Sequence, residues 1–263
     1  MVSVLGIPLD ENSSFLRGSA LAPRKIMECL HSDSSNLSSE TGFDLENSID
    51  WQDTGDLELG TGAQAITQIE VGVRTLLETG DRVLCLGGDH SVSYPIVRAH
   101  AAKFGALNIL HFDAHPDLYD NMLDNRFSHA SPFARMLEDG LVKRLVQVGI
   151  RTLNPHQREQ ATQFGVEIVE MRDLSPLEML EFSEPLYLSL DLDVLDPAFV
   201  PGVSHHEPGG FTTRELLNIL HNIKTPLIGA DLVEYNPTRD IQDVTGMVAA
   251  KLCKELIVKL IEA

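Results

Sequence analysis

Two short apolar runs constrain this chain more than anything else in it, because each stops at a cluster of acids. Leu107-Asn108-Ile109-Leu110-His111-Phe112 leads into Asp113-Ala114-His115-Pro116-Asp117, and Leu186-Tyr187-Leu188-Ser189-Leu190 leads into Asp191-Leu192-Asp193. Side chains of a strand alternate faces, so Asp113 and His115 point the same way, with Asp117 following as the chain leaves the sheet. Asp191 and Asp193 likewise share the face opposite the leucines. One acid after a strand is an ordinary turn former. Five ligand-type residues in two such patterns are another matter, since like charges gathered at one place repel unless a cation sits among them.

The rest of the chain supplies a fold that can bring two strand ends together. Residues 2–7, 82–86, 107–112, 145–150, 166–170, 186–193 and 227–233 read as strands. Residues 62–78, 91–103, 131–137, 155–164, 213–222 and 243–261 read as helices, and another starts near Pro23. Ile66, Ile69, Val73, Leu76 and Leu77 form a helical stripe that should lie on the sheet, as should Val248, Leu252, Leu256 and Leu260 in the last helix. Residues 32–50, rich in Ser, Asp, Asn and Glu, read as a polar surface loop. Alternation of strand and helix implies an α/β fold with a mostly parallel sheet and helices on both faces. Ligands of such sheets gather beyond the carboxyl ends of the strands. His90 falls there too, after the turn Gly87-Gly88-Asp89.

With 263 residues, 43% of them hydrophobic, and no internal repeat or linker, a single domain over residues 1–263 is expected. Lys and Arg number 20 against 39 Asp and Glu, a formal charge of -19, which argues against nucleic acid and anionic membrane as partners. Cys29, Cys85 and Cys253 form no CxxC pair and suggest neither a disulfide framework nor a cysteine zinc site. No basic leader precedes Pro8, and no apolar run is long enough to cross a bilayer, so a cytoplasmic location is expected.

His90, Asp113, His115, Asp117, Asp191 and Asp193 are too many ligands for one tetrahedral zinc and enough for two ions sharing carboxylates. Carboxylate and imidazole donors without thiolate favour manganese first, with magnesium, iron and cobalt behind it. Such a pair would turn water into a nucleophile near neutral pH.

Gly87-Gly88-Asp89-His90-Ser91, Asp113-Ala114-His115-Pro116-Asp117 and the run Ser189-Leu190-Asp191-Leu192-Asp193-Val194-Leu195-Asp196-Pro197 resemble the three signatures of the ureohydrolases, the arginase and agmatinase family. The stretches 201–210, with its paired His205 and His206, and 229–237 resemble the plant-type arginases and their bacterial relatives. The resemblance implies a three-layer α/β/α fold, two Mn²⁺ per subunit, a homo-trimer or homo-hexamer, and hydrolysis of a small guanidino substrate. It places the six ligands on the metal site and gives Asp193 a second task, holding the nucleophile. It places Glu234 on the acid that binds the guanidinium, and His129 on the residue that hands a proton to the leaving amine. Asn125 and Ser128 fall where plant arginases have the same residues and are expected to hold the substrate's α-carboxylate.

The expected reaction is cleavage of L-arginine to ornithine and urea. Agmatine is the alternative substrate, favoured by Asp120 and Asp124 in the loop after Asp117 and by the lack of an acid in Arg151-Thr152-Leu153-Asn154. More remote are a single-zinc deacetylase-like hydrolase and an inactive relative. His111 is expected to pack or to support a ligand, Asp89 to brace the His90 loop, and Asp196 to fix the turn before Pro197.

Overall fold

The computed structural model describes residues 1–174, 181–182 and 186–263. Eight strands form one sheet: β1 (Val2–Ile7), β2 (Trp51–Asp56), β3 (Arg82–Gly87), β4 (Leu107–Phe112), β5 (Val142–Ile150), β6 (Glu167–Glu170), β7 (Leu186–Asp191) and β8 (Leu227–Val233). Their order in space is β2-β1-β3-β8-β7-β4-β5-β6, and every pairing among the described residues is parallel. Among the described residues seven α-helices connect them: α1 (Ala22–Leu30), α2 (Ala63–Glu78), α3 (Ser93–Phe104), α4 (Pro132–Glu138), α5 (Pro155–Phe164), α6 (Thr213–Asn222) and α7 (Val244–Ile261).

The sheet separates two apolar cores, giving three layers. Leu84, Leu86, Leu110, Leu188, Leu190 and Leu232 pack on one face with α1, α6 and α7. Val83, Cys85, Ile109, Leu145 and Tyr187 pack on the other with α2, α3, α4 and α5. Both faces of each central strand are thus covered, which is why these runs are apolar almost throughout.

Most elements lie where the periodicity puts them, with three differences. β2 was not anticipated, because Trp51-Gln52-Asp53-Thr54-Gly55-Asp56 is exposed beyond its tryptophan and carries no apolar alternation. It is an edge strand, held by pairing with β1 and kept from pairing further by its acids. In α2, Ile69, Val73 and Leu77 are buried as expected while Ile66 and Leu76 are half-buried. In α7, Ala249, Ala250, Cys253, Ile257 and Val258 are buried along with Leu252, Leu256 and Leu260, whereas Val248 is only half-buried. That helix is enclosed on more than the one face its leucines mark.

The topology positions the site. β3, β8, β7 and β4 are neighbours at the centre of the sheet, so His90, Glu234, the 191–193 turn and the 113–117 loop emerge side by side. Gly88 makes the turn after β3 possible. A Cβ there would lie 1.9 Å from the Leu9 carbonyl oxygen, against which the loop closes through an Asp89 N–H bond of 2.9 Å to that same oxygen.

Candidate metal centre

Each strand end orients its acids by giving one carboxylate oxygen to the backbone and leaving the other free to face inward. Asp191 Oδ1 accepts from the Asp193 N–H at 2.7 Å, Asp193 Oδ1 from the Ala114 N–H at 3.1 Å, and Asp113 Oδ1 from the His115 N–H at 2.6 Å. The Oδ2 atoms of Asp113, Asp117 and Asp191 then lie 3.2, 3.0 and 3.2 Å from His90 Nδ1. A second group adjoins the first: His115 Nδ1 lies 3.0 Å from Asp193 Oδ2 and 3.4 Å from Asp113 Oδ1. The structure therefore gathers all six residues named from the sequence, in two donor groups that share Asp113.

The donors fit a divalent cation. His90 Nδ1 is buried and, despite three carboxylates around it, has no partner in hydrogen-bonding geometry. Separations of about 3 Å are what neighbouring ligands take around an octahedral ion whose bonds are near 2.1 Å. The charges are also uncompensated. Burial, and then the carboxylates of Asp193 and Asp113, push the Asp191 pKa well above its ordinary range. Burial and Asp113 raise that of Asp193 against the pull of His115. Protein donors in this arrangement can hold a metal ion, and Asp113, His115 and Asp193 form one such group without the rest.

His111 belongs to the support. Gln147 Nε2 donates to the Pro116 carbonyl at 2.6 Å, which fixes the amide, and also to His111 Nδ1 at 3.0 Å. With Nδ1 accepting, His111 carries its proton on Nε2 and donates it to Asp113 Oδ2 at 2.9 Å. The ring orients Asp113, and Gln147 ties the whole 113–117 loop to β5. Asp89 braces the His90 turn, accepting from the Ser91 N–H at 3.1 Å and the Asn12 N–H at 3.0 Å; burial, then Glu234, pushes its pKa up to about 6. Asp196 accepts from the Ala198, Gly209 and Gly210 N–H groups, which joins the turn before Pro197 to the Glu207-Pro208-Gly209-Gly210 run.

Above the donors lies a cavity of about 150 Å³. Glu234 and His129 meet in it, Oε1 to Nδ1 at 2.9 Å, and Glu234 Oε1 also accepts from the His90 N–H at 2.9 Å. Burial disfavours the His129 imidazolium, but the Glu234 carboxylate outweighs it and raises the pKa to about 9. For Glu234 the same contest runs the other way, burial against His129, and leaves it below its ordinary range.

Sequence reasoning missed several residues of the wall: Ser14, whose Oγ lies 2.8 Å from His129 Nε2, together with Tyr119, Met122, Thr152 and Gln157. They come from loops and a helix start, where no periodicity marks a functional face. His205 lies over His129, ring centroids 5.2 Å apart, while His206 turns away to the Pro201 carbonyl. Asn125 and Ser128 do not reach the wall, contrary to expectation. The Asn125 amide donates to Asn12 Oδ1 and accepts from the Phe127 N–H, and the buried Ser128 hydroxyl accepts from the Ala130 N–H. Both are occupied in shaping the loop that carries His129.

The model of the Arginase family matches residues 1–258. The chain is 48% identical over 275 aligned residues to "Arginase 1, mitochondrial" of Arabidopsis thaliana, covering 98% of this chain and 80% of that protein. It is 35% identical to the agmatinase of Bacillus anthracis, covering 97% and 90%. Among solved structures, the arginase from Medicago truncatula superposes with a TM-score of 0.94 at 45% identity, covering 98% of this chain and 87% of that one. A cytoplasmic location does not stand against a relative this similar that is named as mitochondrial. Among the described residues no helix is long and apolar enough to cross a membrane. Similarity of this extent shows that the chain belongs to the arginase family, metal-dependent ureohydrolases that act on the C–N bonds of small guanidino compounds.

Proposed function

We propose that this enzyme hydrolyses L-arginine to L-ornithine and urea with two Mn²⁺ per subunit. His90, Asp113, Asp117 and Asp191 would hold one ion, and His115, Asp113 and Asp193 the other. The observation that carries the reading is the pair of donor groups sharing Asp113 directly beneath the Glu234–His129 pair. When bound, the metal pair supplies the Lewis acidity that makes water a nucleophile at neutral pH. The chain's own residues do the rest. Glu234 binds the guanidinium, a planar, permanently charged group that suits a buried carboxylate. Asp193 accepts a hydrogen bond from the attacking water and so aims it. His129, whose imidazolium the Glu234 carboxylate favours, delivers its proton to the amine as the C–N bond breaks.

Arginine is favoured by the greater identity to an arginase than to an agmatinase over nearly the same span. One observation favours agmatine as a second reading: among the described residues no Lys or Arg lines the cavity, so an α-carboxylate would find no permanently charged partner there. Residues 1–258 match one family model, and the two cores wrap one sheet, which supports a single domain over 1–263. The family resemblance supports a homo-trimer or homo-hexamer, and mass photometry reads it directly. Urea release with manganese present decides the substrate. A kcat/KM for arginine at least tenfold above that for agmatine is expected, and a tenfold preference for agmatine would overturn the arginine assignment while leaving the centre intact. Metal analysis should find two manganese ions per subunit; full activity with one zinc would sink the binuclear reading.

A further inference from the structure

Asp231 is a carboxylate in the middle of an otherwise apolar strand, fully buried, and no Lys or Arg among the described residues pairs with it. Burying a charge there is costly unless it is hydrogen-bonded to some purpose. By register Asp231 sits between Cys85 of β3 and Ser189 of β7. Its two oxygens take two hydroxyls: Tyr187 donates to Oδ2 at 2.7 Å and Ser189 donates to Oδ1 at 2.7 Å. Ser189 Oγ also lies 3.0 Å from His90 Nε2.

The protons in this chain can be counted. Ser189 has one hydroxyl proton, and a carboxylate can only accept, so that proton points at Asp231. Towards His90 the hydroxyl is left as an acceptor, so His90 Nε2 carries the N–H. The other ring nitrogen, Nδ1, is then the one left to ligate when a metal binds, and it is the buried, unpartnered atom that the three Oδ2 oxygens surround. We infer that Asp231 is a positioning residue for the metal centre. Acting through Ser189, it locks His90 in the one neutral tautomer that can ligate, and it never touches metal or substrate. This rests on the metal centre proposed above.

The arrangement makes an asymmetric demand. An Asn at 231 has the size of Asp but can donate its N–H to Ser189. The hydroxyl would then turn its proton to His90 Nε2 and drive the ring proton to Nδ1, into the metal site. Outer hydrogen-bond partners of metal-bound histidines typically matter by 10–100-fold in affinity.

The test titrates metal-free protein with Mn²⁺, reading free ion by electron paramagnetic resonance. Asp231→Asn and Ser189→Ala should each weaken one of the two sites about 10- to 100-fold. Tyr187→Phe removes the other hydrogen bond to Asp231 and should leave manganese affinity within about threefold, whatever it costs the fold. The inference fails if Asp231→Asn and Ser189→Ala keep wild-type affinity, or if Tyr187→Phe loses as much as they do, since the effect would then be general damage to the core. Should Asp231→Asn not fold, Ser189→Ala against Tyr187→Phe decides alone. Wild-type protein that bound no manganese would overturn the metal centre and this inference together, whereas two sites unmoved by Asp231→Asn and Ser189→Ala would overturn only the inference.

Discussion

Glu234 reaches the cavity through a backbone that side chains ordinarily avoid, with φ at 65°, and Asp117 does the same at 49°. Such positions cost on the order of 1–3 kcal/mol and persist where the surroundings over-determine them. Here the Glu234 N–H bond to the Gly88 carbonyl and the His90 N–H bond back to Glu234 do so. A carboxylate held this firmly should be felt in both binding and turnover. Glu234→Gln keeps the shape and removes the charge, and kcat/KM is expected to fall about 10- to 100-fold or more, as charge-assisted hydrogen bonds are worth about 1.5–3 kcal/mol. His129→Ala should instead lower kcat by roughly 10²–10⁴-fold with little change in KM. Steady-state urea release separates the two, and wild-type constants in both variants would refute the roles given to them. The six candidate metal ligands were legible because they follow directly on the ends of apolar strands, although only Asp191 lies within one: β4 stops at Phe112, and Asp193 sits in a short 3-10 turn after β7. Asp231 left a legible sign as well, a charge inside an apolar run, but its meaning depends on Ser189 of another strand. Ser14 left none, since only the fold brings it to His129. The surroundings of Asn125 and Ser128 were not legible, because a loop has no period from which to tell wall from scaffold.

At the scale of elements, the apolar runs and helical stripes carried enough information to place seven of the eight strands, and the exception, β2, is an edge that buries almost nothing. One helix carries a titratable group with no part in the chemistry. His100 in α3 is fully buried against Tyr187, its Nδ1 donating to the Ile96 carbonyl at 2.9 Å, and burial pushes its pKa down to about 4. Gly229 of β8 makes room for it, since a Cβ there would lie 2.2 Å from Nε2. An unfolded histidine titrates near 6.5, so below that pH the unfolded chain takes up a proton that the native one refuses. The stability from this group is therefore whole above about pH 6.5 and is lost as pH falls towards 4, amounting to about 2 kcal/mol by pH 5. His100→Leu should shrink the difference in urea-unfolding free energy between pH 7 and pH 5 by about that much, and an unchanged difference would show that His100 does not remain neutral in the fold. Gly229→Ala should destabilise at both pH values through the lost space, without altering that pH dependence.

For the molecule as a whole, the formal charge of -19 and the crowded acids at the sheet's carboxyl edge make a divalent cation a stabiliser as well as a reagent. At a concentration one hundred times its dissociation constant, each bound ion adds about 2.7 kcal/mol. Manganese should accordingly raise Tm by about 5–10 °C or more over chelated protein, and coincident melting curves would contradict a centre of this kind. The order of strands has a consequence in time. β8 is the last strand to be synthesised, yet it lies between β3 and β7 in the interior of the sheet. Until it arrives, the nascent chain has two half-sheets, β2-β1-β3 and β7-β4-β5-β6, each with an open parallel edge, the first carrying His90 and the second the other five donors. A chain ended at residue 226 should aggregate through those edges rather than fold. In refolding, capture of the ion that needs His90 should appear only in the slowest phase, when β8 has joined β3 to β7 and long-range parallel pairing is complete. His90 meets the other five donors only through β8, so that ion closes the history of the fold instead of seeding it.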